Sequence, residues 1–377
     1  MARRDIGTDD PRVRVRPGRG SRPRTKQRPS HSDAVLGMVT RIDRGHYRIR
    51  LDDCGLTEDS SGDITAMKAR ELGRGKVVVG DRVAVVGDTS GRTGTLARMV
   101  RIEERATLLR RSAEDGDAAG TERAIVANAR QLVIVTAVAD PEPRPRMIDR
   151  YLVAAYDAGM EPLIVLTKTD LADAAPLTDL YGPLGVRCLA TRVHPGTSER
   201  GADPTETGGP QEQADDDGVE AVRRMLRGTV SVLVGHSGVG KSTLINALVP
   251  GADRATGHVN EVTGRGRHTS TSLQALELPR GGWVIDTPGV RSFGVSHVGS
   301  ADVLRGFPDL ADVAEDCPRG CTHEDGVVDC ALDAWTGAAD GPNAPGASTS
   351  PGERRARVES FRRLLAPSLE AEDPTHP

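Results

Sequence analysis

The chain has 377 residues, 37% hydrophobic and 28% charged, with a formal net charge of −4. That length suits two or three domains, and no run of eighteen apolar residues is present, which argues against a membrane-spanning helix. Aromatic side chains make up only 2%, so any core must rest on Val, Leu, Ile and Ala.

Residues 1–32 are rich in Arg, Pro, Gly and Ser. Such a segment buries too little apolar surface to offset the entropy of ordering it, which predicts a disordered basic tail. Its roles divide between solubility and contact with RNA phosphates. It lacks the apolar core of a secretory signal, and Asp5, Asp9 and Asp10 weigh against a transit peptide. From 33 to 105, "AVLGMVTRID", "HYRIRL", "ITAMKA", "KVVVGDRVAVVGD" and "TGTLARMVRI" predict five short strands. Five strands suit a small barrel, for which an OB-fold that binds RNA is the commonest form. Within it, "VVGDRVAVVGD" reads as a hairpin-like repeat.

Residues 106–297 change character. "RQLVIVTAVAD" and "EPLIVLTKTD" are continuous apolar runs, as strands buried on both faces require. Between them, "MIDRYLVAAYDAGM" has helical spacing that places Ile148, Tyr151, Leu152 and Ala155 on one face. Alternating strand and helix signals predict a parallel α/β sheet. The polar, Gly-rich and acidic stretch 194–218 reads as a flexible insertion, after which "TVSVLV" resumes the sheet.

"GHSGVGKST", Gly235 to Thr243, fits G-x-x-x-x-G-K-[ST] between a buried strand and a helix. The segment Gly235, His236, Ser237, Gly238, Val239, Gly240, Lys241, Ser242 and Thr243 is therefore read as a phosphate loop. Backbone N–H groups would surround the phosphates, Lys241 would reach their outer oxygens, and the Ser242 hydroxyl would coordinate Mg²⁺. "WVIDTPG" ends an apolar strand in Asp286, placed to hold the Mg²⁺ hydration shell, with Gly289 to offer its N–H to the γ-phosphate. "TKTD", Thr167, Lys168, Thr169 and Asp170, has the form of a guanine-reading motif, in which Asp170 accepts from the base N1–H and exocyclic amine. In ordinary GTPases this motif follows the phosphate loop; here it precedes it.

"CPRGCTHEDGVVDC" places Cys317, Cys321, His323 and Cys330 within fourteen residues. Three thiolates and an imidazole complete a closed tetrahedral shell, which predicts one structural Zn²⁺ in a C-terminal module, 298–377. An arginine-rich helix, "ERRARVESFRRLLAPSLEAE", follows a linker-like stretch at 338–352.

Together "GDRV", "LLRR", "IDRYL", "LTKTDL", "SVLVGHSGVGKSTLINAL", "GRGRHTST", "IDTPGVRSFG" and the cysteine cluster resemble the bacterial ribosome small subunit-dependent GTPases, the RsgA or YjeQ family. The resemblance implies an OB-fold barrel, a circularly permuted P-loop GTPase domain and a zinc-binding module with helices. It implies a cytoplasmic, monomeric GTPase that acts late in small-subunit maturation, holding rRNA through the barrel, the zinc module and the arginine-rich segments. Val290 stands where Ras-like enzymes carry a water-orienting glutamine. The resemblance points to His268 as the substitute, and to Thr269 or Thr271 as the switch threonine on Mg²⁺. The guanine motif departs from the family pattern, with Thr167 in place of Asn; its shorter side chain predicts weaker bracing of the phosphate loop. The base-covering segment falls at Ala190 and Thr191. Two other readings stand beside this one: an rRNA-binding scaffold whose guanine-nucleotide site regulates without appreciable turnover, and an ATP-dependent metabolic kinase. Asp170 and "DTPG" disfavour the kinase.

Overall fold

The computed structural model of the chain describes residues 31–52, 62–73, 77–111, 123–192, 210–252, 273–287, 295, 298–337 and 350–369. Residues 1–30 of the predicted tail and residues 194–209 of the predicted insertion lie outside them. From Ala34 onward the described residues belong to one compact unit.

Five strands come first: β1 (Val35–Asp43), β2 (His46–Leu51), β3 (Asp63–Lys68), β4 (Arg82–Gly87) and β5 (Ala97–Ile102). β1 pairs antiparallel with both β2 and β4, β2 with β3, and β4 with β5, while β3 runs parallel to β5. The ladder therefore closes on itself as an OB-like barrel. Strand alternation turns Val39, Ile49, Ile64, Val83, Val85 and Met99 into its core.

The hairpin-like reading of "VVGDRVAVVGD" does not hold. Val79 makes a single parallel bridge to Val126 instead of pairing with β4. Gly80 has φ 88°, and a Cβ there would sit 2.0 Å from the Ala127 carbonyl oxygen. Asp81, fully buried, accepts from the Val78 N–H at 2.8 Å and from Arg105 at 2.7 and 2.9 Å. A buried carboxylate needs such partners. "GDR" is thus a joint that fastens the barrel to an antiparallel pair, β6 (Leu108–Arg111) and β7 (Arg123–Ala127).

The α/β domain follows: β8 (Gln131–Ala137), α1 (Pro145–Asp157), β9 (Glu161–Thr167), α2 (Ala175–Tyr181), β10 (Arg187–Ala190), α3 (Pro210–Leu226), β11 (Val230–Val234), α4 (Lys241–Leu248), β12 (Gln274–Glu277) and β13 (Trp283–Asp286). Its strands lie in the order β10-β9-β8-β11-β13-β12, parallel except for β12. All of β8 is buried, as its unbroken apolar run requires. The predicted apolar face of α1 is buried as well.

The insertion reading of 194–218 fails at its C-terminal end, because α3 already begins at Pro210. Val219, Val222 and Leu226 pack at helical spacing on the sheet core. At the other edge of the sheet, Gln274 of β12 pairs with Arg41 of β1, joining barrel and α/β domain in one eleven-stranded sheet. Arg50 secures that seam, bonding Asp63 and Glu277 at 2.8 Å each and lying over Trp283.

Four helices close the chain: α5 (Ser300–Leu304), α6 (Pro308–Ala314), α7 (Ala331–Gly337) and α8 (Pro351–Leu369). Ser350 and Glu353 cap α8 reciprocally, each side chain accepting from the other's backbone N–H. The expectation that this arginine-rich helix holds RNA meets a physical obstacle. Arg354 is buried beneath Trp335, and Arg357 bonds Asp309 and the Pro183 carbonyl and lies over Phe307. Arg362 bonds Asp333, and Arg363 pairs with buried Asp149 of α1 while lying over Tyr181. Of the five arginines, only Arg355 is exposed. The helix is a clasp between the C-terminal module and the α/β domain.

Candidate functional site

β11 feeds the segment Gly235–Gly240, and α4 leaves it at Lys241. Gly238 and Gly240 have φ of 83° and 85°, a left-handed conformation that only glycine adopts without strain. The turn they form leaves the first N–H groups of α4 without intrahelical partners, facing the loop. β13 lies parallel to β11 with Asp286 opposite Leu233. That register brings Asp286 beneath the loop, where its carboxylate accepts from the Lys241 ammonium at 2.5 Å; both side chains are largely buried. Thr287 donates to the Leu233 carbonyl at 2.7 Å and holds the end of β13 in place. Ser242 occupies the first turn of α4, half-buried. Lys241, Ser242 and Asp286 are therefore gathered at one end of the parallel sheet, as phosphate and Mg²⁺ chemistry requires. The His236 side chain lines a small cavity with Arg144, Met147 and Tyr151, and its buried Nδ1 has no hydrogen-bond partner among the described residues. Gly289, Val290, His268, Thr269 and Thr271 lie outside the described residues.

The guanine-motif segment starts at the last residue of β9, two strands from β11. Asp170 is exposed just beyond it. Lys168 has φ 58° and donates to the Asp140 carbonyl oxygen, which ties this loop to the one before α1. Thr169 Oγ1 donates to the Thr191 carbonyl at 3.2 Å, and the Thr191 N–H donates to the Leu166 carbonyl at 2.7 Å. Ala190 and Thr191 thus lie beside the guanine motif.

The bracing expected of Thr167 takes the form of a hydrogen bond to the phosphate loop. Thr167 is 3% exposed, and its hydroxyl donates to the Val239 carbonyl inside the phosphate loop at 2.6 Å. A hydroxyl supplies one donor proton where an asparagine amide supplies two, so this contact replaces one of the amide's and not both. What sequence reasoning missed is the short distance: β9 ends so close to the loop that a threonine reaches it.

The four C-terminal ligand atoms of Cys317, Cys321, His323 and Cys330 all lie within 4.8 Å of one another. His323 Nδ1 stands 3.6, 3.5 and 3.9 Å from the three Sγ atoms. Tetrahedral bonds of about 2.3 Å to sulfur and 2.0–2.1 Å to nitrogen place S and N about 3.5–3.6 Å apart, so the set fits a metal ion of that size. Burial holds the His323 pKa below its usual value, favouring the neutral imidazole that ligation needs. The same burial pushes the Cys317 thiol up to about 11, and the Ala331 N–H donates to its sulfur at 3.2 Å. Arg362 of α8 reaches the Cys330 sulfur at 3.9 Å and the His323 carbonyl at 3.0 Å, so the clasp also supports the metal cluster. Among the described residues no helix is long and apolar enough to cross a membrane.

A family model described as RsgA GTPase matches residues 102–202 and 209–296. A small ribosomal subunit biogenesis GTPase RsgA of Ectopseudomonas mendocina is 36% identical over 294 residues, covering 76% of this chain and 77% of the relative. The protein of that name from Pseudomonas syringae pv. syringae is 37% identical over 297 residues, with the same coverage. Among solved structures, YjeQ from Thermotoga maritima superposes with a TM-score of 0.57 at 23% identity, over 88% of this chain and 99% of that one. YloQ, described as a circularly permuted GTPase, gives 0.56 at 20% identity, over 90% and 97%.

Proposed function

The chain belongs to the RsgA GTPase family, and from that premise we propose that it binds the small ribosomal subunit and assists its late maturation, hydrolysing GTP to GDP and phosphate with turnover that the subunit stimulates. The observation that carries the reading is the convergence of Lys241, Asp286 and the Thr167–Asp170 segment at one end of a permuted sheet. Lys241 binds the outer phosphates, and Asp170 selects guanine. Ser242, Asp286 and either Thr269 or Thr271 would hold a Mg²⁺ ion, which would supply neutralisation of phosphate charge. Gly289 offers its N–H to the γ-phosphate, and His268 positions the attacking water in place of the glutamine that Val290 replaces.

The cysteine and histidine cluster takes one Zn²⁺ in a structural role, since its four ligands leave no open position. With four of the five α8 arginines engaged internally, rRNA contact falls mainly to the barrel and the zinc module. In the barrel, Arg44, Arg48 and Arg98 are exposed with no ion-pair partner among the described residues. The protein works as a cytoplasmic monomer.

A second reading, an rRNA-binding scaffold with a regulatory guanine-nucleotide site, draws on Val290. One experiment separates the two: GTP turnover with small subunits, large subunits or neither, at fixed salt. Groups supplied in trans accelerate other GTPases by roughly 10³–10⁵, and stimulation within or somewhat below that range, by small subunits only, is expected. Equal turnover in all three conditions rejects the subunit-coupled enzyme. His268→Ala is expected to abolish most of the stimulation with GTP affinity nearly unchanged.

A further inference from the structure

The phosphate loop and Asp286 stand at the C-terminal ends of the parallel strands. The opposite end of the same sheet is basic, and no motif in the sequence uses it. Arg187 opens β10, and Arg223 and Arg224 fill the last turn of α3. Arg227 follows α3 immediately before β11, and Arg280 lies in the turn between β12 and β13. All five belong to the α3 side of the sheet, since α1 and α2 pack on its other face.

One carboxylate answers these five arginines among the described ion pairs. Glu220 meets Arg223 at 3.3 Å and Arg280 at 2.5 Å. Arg187 donates to the neutral sulfur of Met225 at 2.8 Å. Arg224 and Arg227 are exposed, with no ion-pair partner among the described residues. Five guanidiniums against one carboxylate leave an excess of four positive charges.

The backbone holds this cluster together. The Gly228 N–H donates to the Gly281 carbonyl at 3.1 Å. Gly282 has φ 100°, and a Cβ there would lie 2.7–2.9 Å from backbone atoms of Leu226, Gly228 and Thr229. The turn carrying Arg280 is thus pressed against the segment carrying Arg227. Arg223 and Arg224 also complement the negative end of the α3 dipole, but Arg187 and Arg280 lie on other elements, so the dipole does not account for them. Like charges gathered this way repel one another until an anion joins them. Guanidinium forks match phosphate oxygens in pairs. The neighbouring aromatic, Trp283, already lies beneath Arg50, which leaves no platform here for a stacked base.

We propose that Arg187, Arg224, Arg227 and Arg280 form an RNA-backbone contact surface on the α/β domain, separate from the barrel and the zinc module. The inference rests on the small-subunit reading and adds a third anchor, at the end of the sheet remote from the nucleotide. Contact is with phosphates and carries no base preference.

The test measures binding of the full-length chain to small subunits and to protein-free small-subunit rRNA, each over a salt series. Wild type is compared with Arg224→Gln, Arg227→Gln, their double variant and Glu220→Gln; GDP affinity and melting temperature are followed in parallel. Each single arginine variant is expected to lower the salt slope by about one ion and the double variant by about two, on both probes. GDP affinity stays at the wild-type value. Glu220→Gln releases Arg223 and Arg280 and is expected to tighten binding, a gain that poor folding cannot mimic. Wild-type slopes in the double variant overturn the proposal, as does a Glu220→Gln protein that binds no tighter. A lowered melting temperature with an unchanged slope overturns it too, reducing the arginines to a helix cap. Weakened binding to subunits but not to protein-free rRNA assigns the patch to a protein partner and likewise overturns it. Wild-type protein that fails to bind small subunits overturns the small-subunit reading itself, a distinct outcome.

Discussion

Breaking the Arg363–Asp149 pair with Arg363→Met tests whether α8 is a clasp. Asp149 is 3% exposed, and its carboxylate lies 3.3 Å from the guanidinium. At an effective dielectric of about 20, charges that far apart attract by about 5 kcal/mol. The Arg363 side chain is 29% exposed, so solvent screens part of this, and a net cost of about 2–3 kcal/mol is expected at neutral pH. Burial already raises the Asp149 pKa, and Arg363 opposes that rise. Removing Arg363 raises it further, so the folded state then prefers the protonated acid. The loss of stability is accordingly complete above the raised pKa and shrinks as pH falls toward the unfolded value near about 3.9. The assay is urea unfolding followed by Trp335 fluorescence in a Trp283→Phe background, which isolates the helical module because these are the chain's two tryptophans. A double-mutant cycle with Asp149→Asn is expected to return most of the cost as coupling. A cost below about 0.5 kcal/mol, or no coupling, refutes the clasp.

Asp170→Asn is expected to weaken GTP and favour xanthine nucleotides, whose C2 carbonyl accepts from the new amide; ATP competing as well as GTP against wild-type protein contradicts the guanine assignment. Chelation or Cys321→Ser is expected to unfold the C-terminal module while nucleotide binding largely survives, and elemental analysis finding no zinc in purified protein counts against the metal assignment. Arg48→Glu and Arg98→Glu are each expected to flatten the salt dependence of subunit binding by about one ion. Arg357→Met is expected to leave that slope alone and reduce stability instead; the opposite pattern returns α8 to the RNA surface.

Motifs whose chemistry is local were legible from the residues alone. "GHSGVGKST" carries its own turn glycines, and the run "RQLVIVTAVAD" has the apolarity of a strand covered on both faces. What escaped was set by distant partners. The α8 arginines look like an RNA surface until Asp149, Asp309 and Asp333, far away or on another helix, are seen to meet them. "VVVGD" looks like half a hairpin because its partner, Val126, lies about forty-five residues on. The acidic stretch before Val219 looked like a loop because the apolar spacing that marks a helix begins only at its end. That the Thr167 hydroxyl reaches the phosphate loop at all depends on how near two strand ends lie, which residue type does not give.

The permuted order of motifs acquires a physical meaning from the two edges of the sheet. β12 is the strand that follows 253–272, the stretch carrying "GRGRHTST", and it pairs with the barrel through Gln274 and Arg41 while Glu277 bonds Arg50. β13 ends in Asp286, and the chain beyond it leads to Val298 and α5, in the core that α1 and α8 share. In an unpermuted GTPase, the strand that ends in this aspartate continues into the rest of its own sheet. Here it leaves for the metal-binding module, and the strand before it is stitched to the barrel. The two strands that border those segments are thus tied, through chain or ladder, to different flanking modules. On the proposed function, a rearrangement at Asp286 or in β12 would work against the clasp on one side and the Arg50 seam on the other, which would link nucleotide state energetically to the placement of both modules.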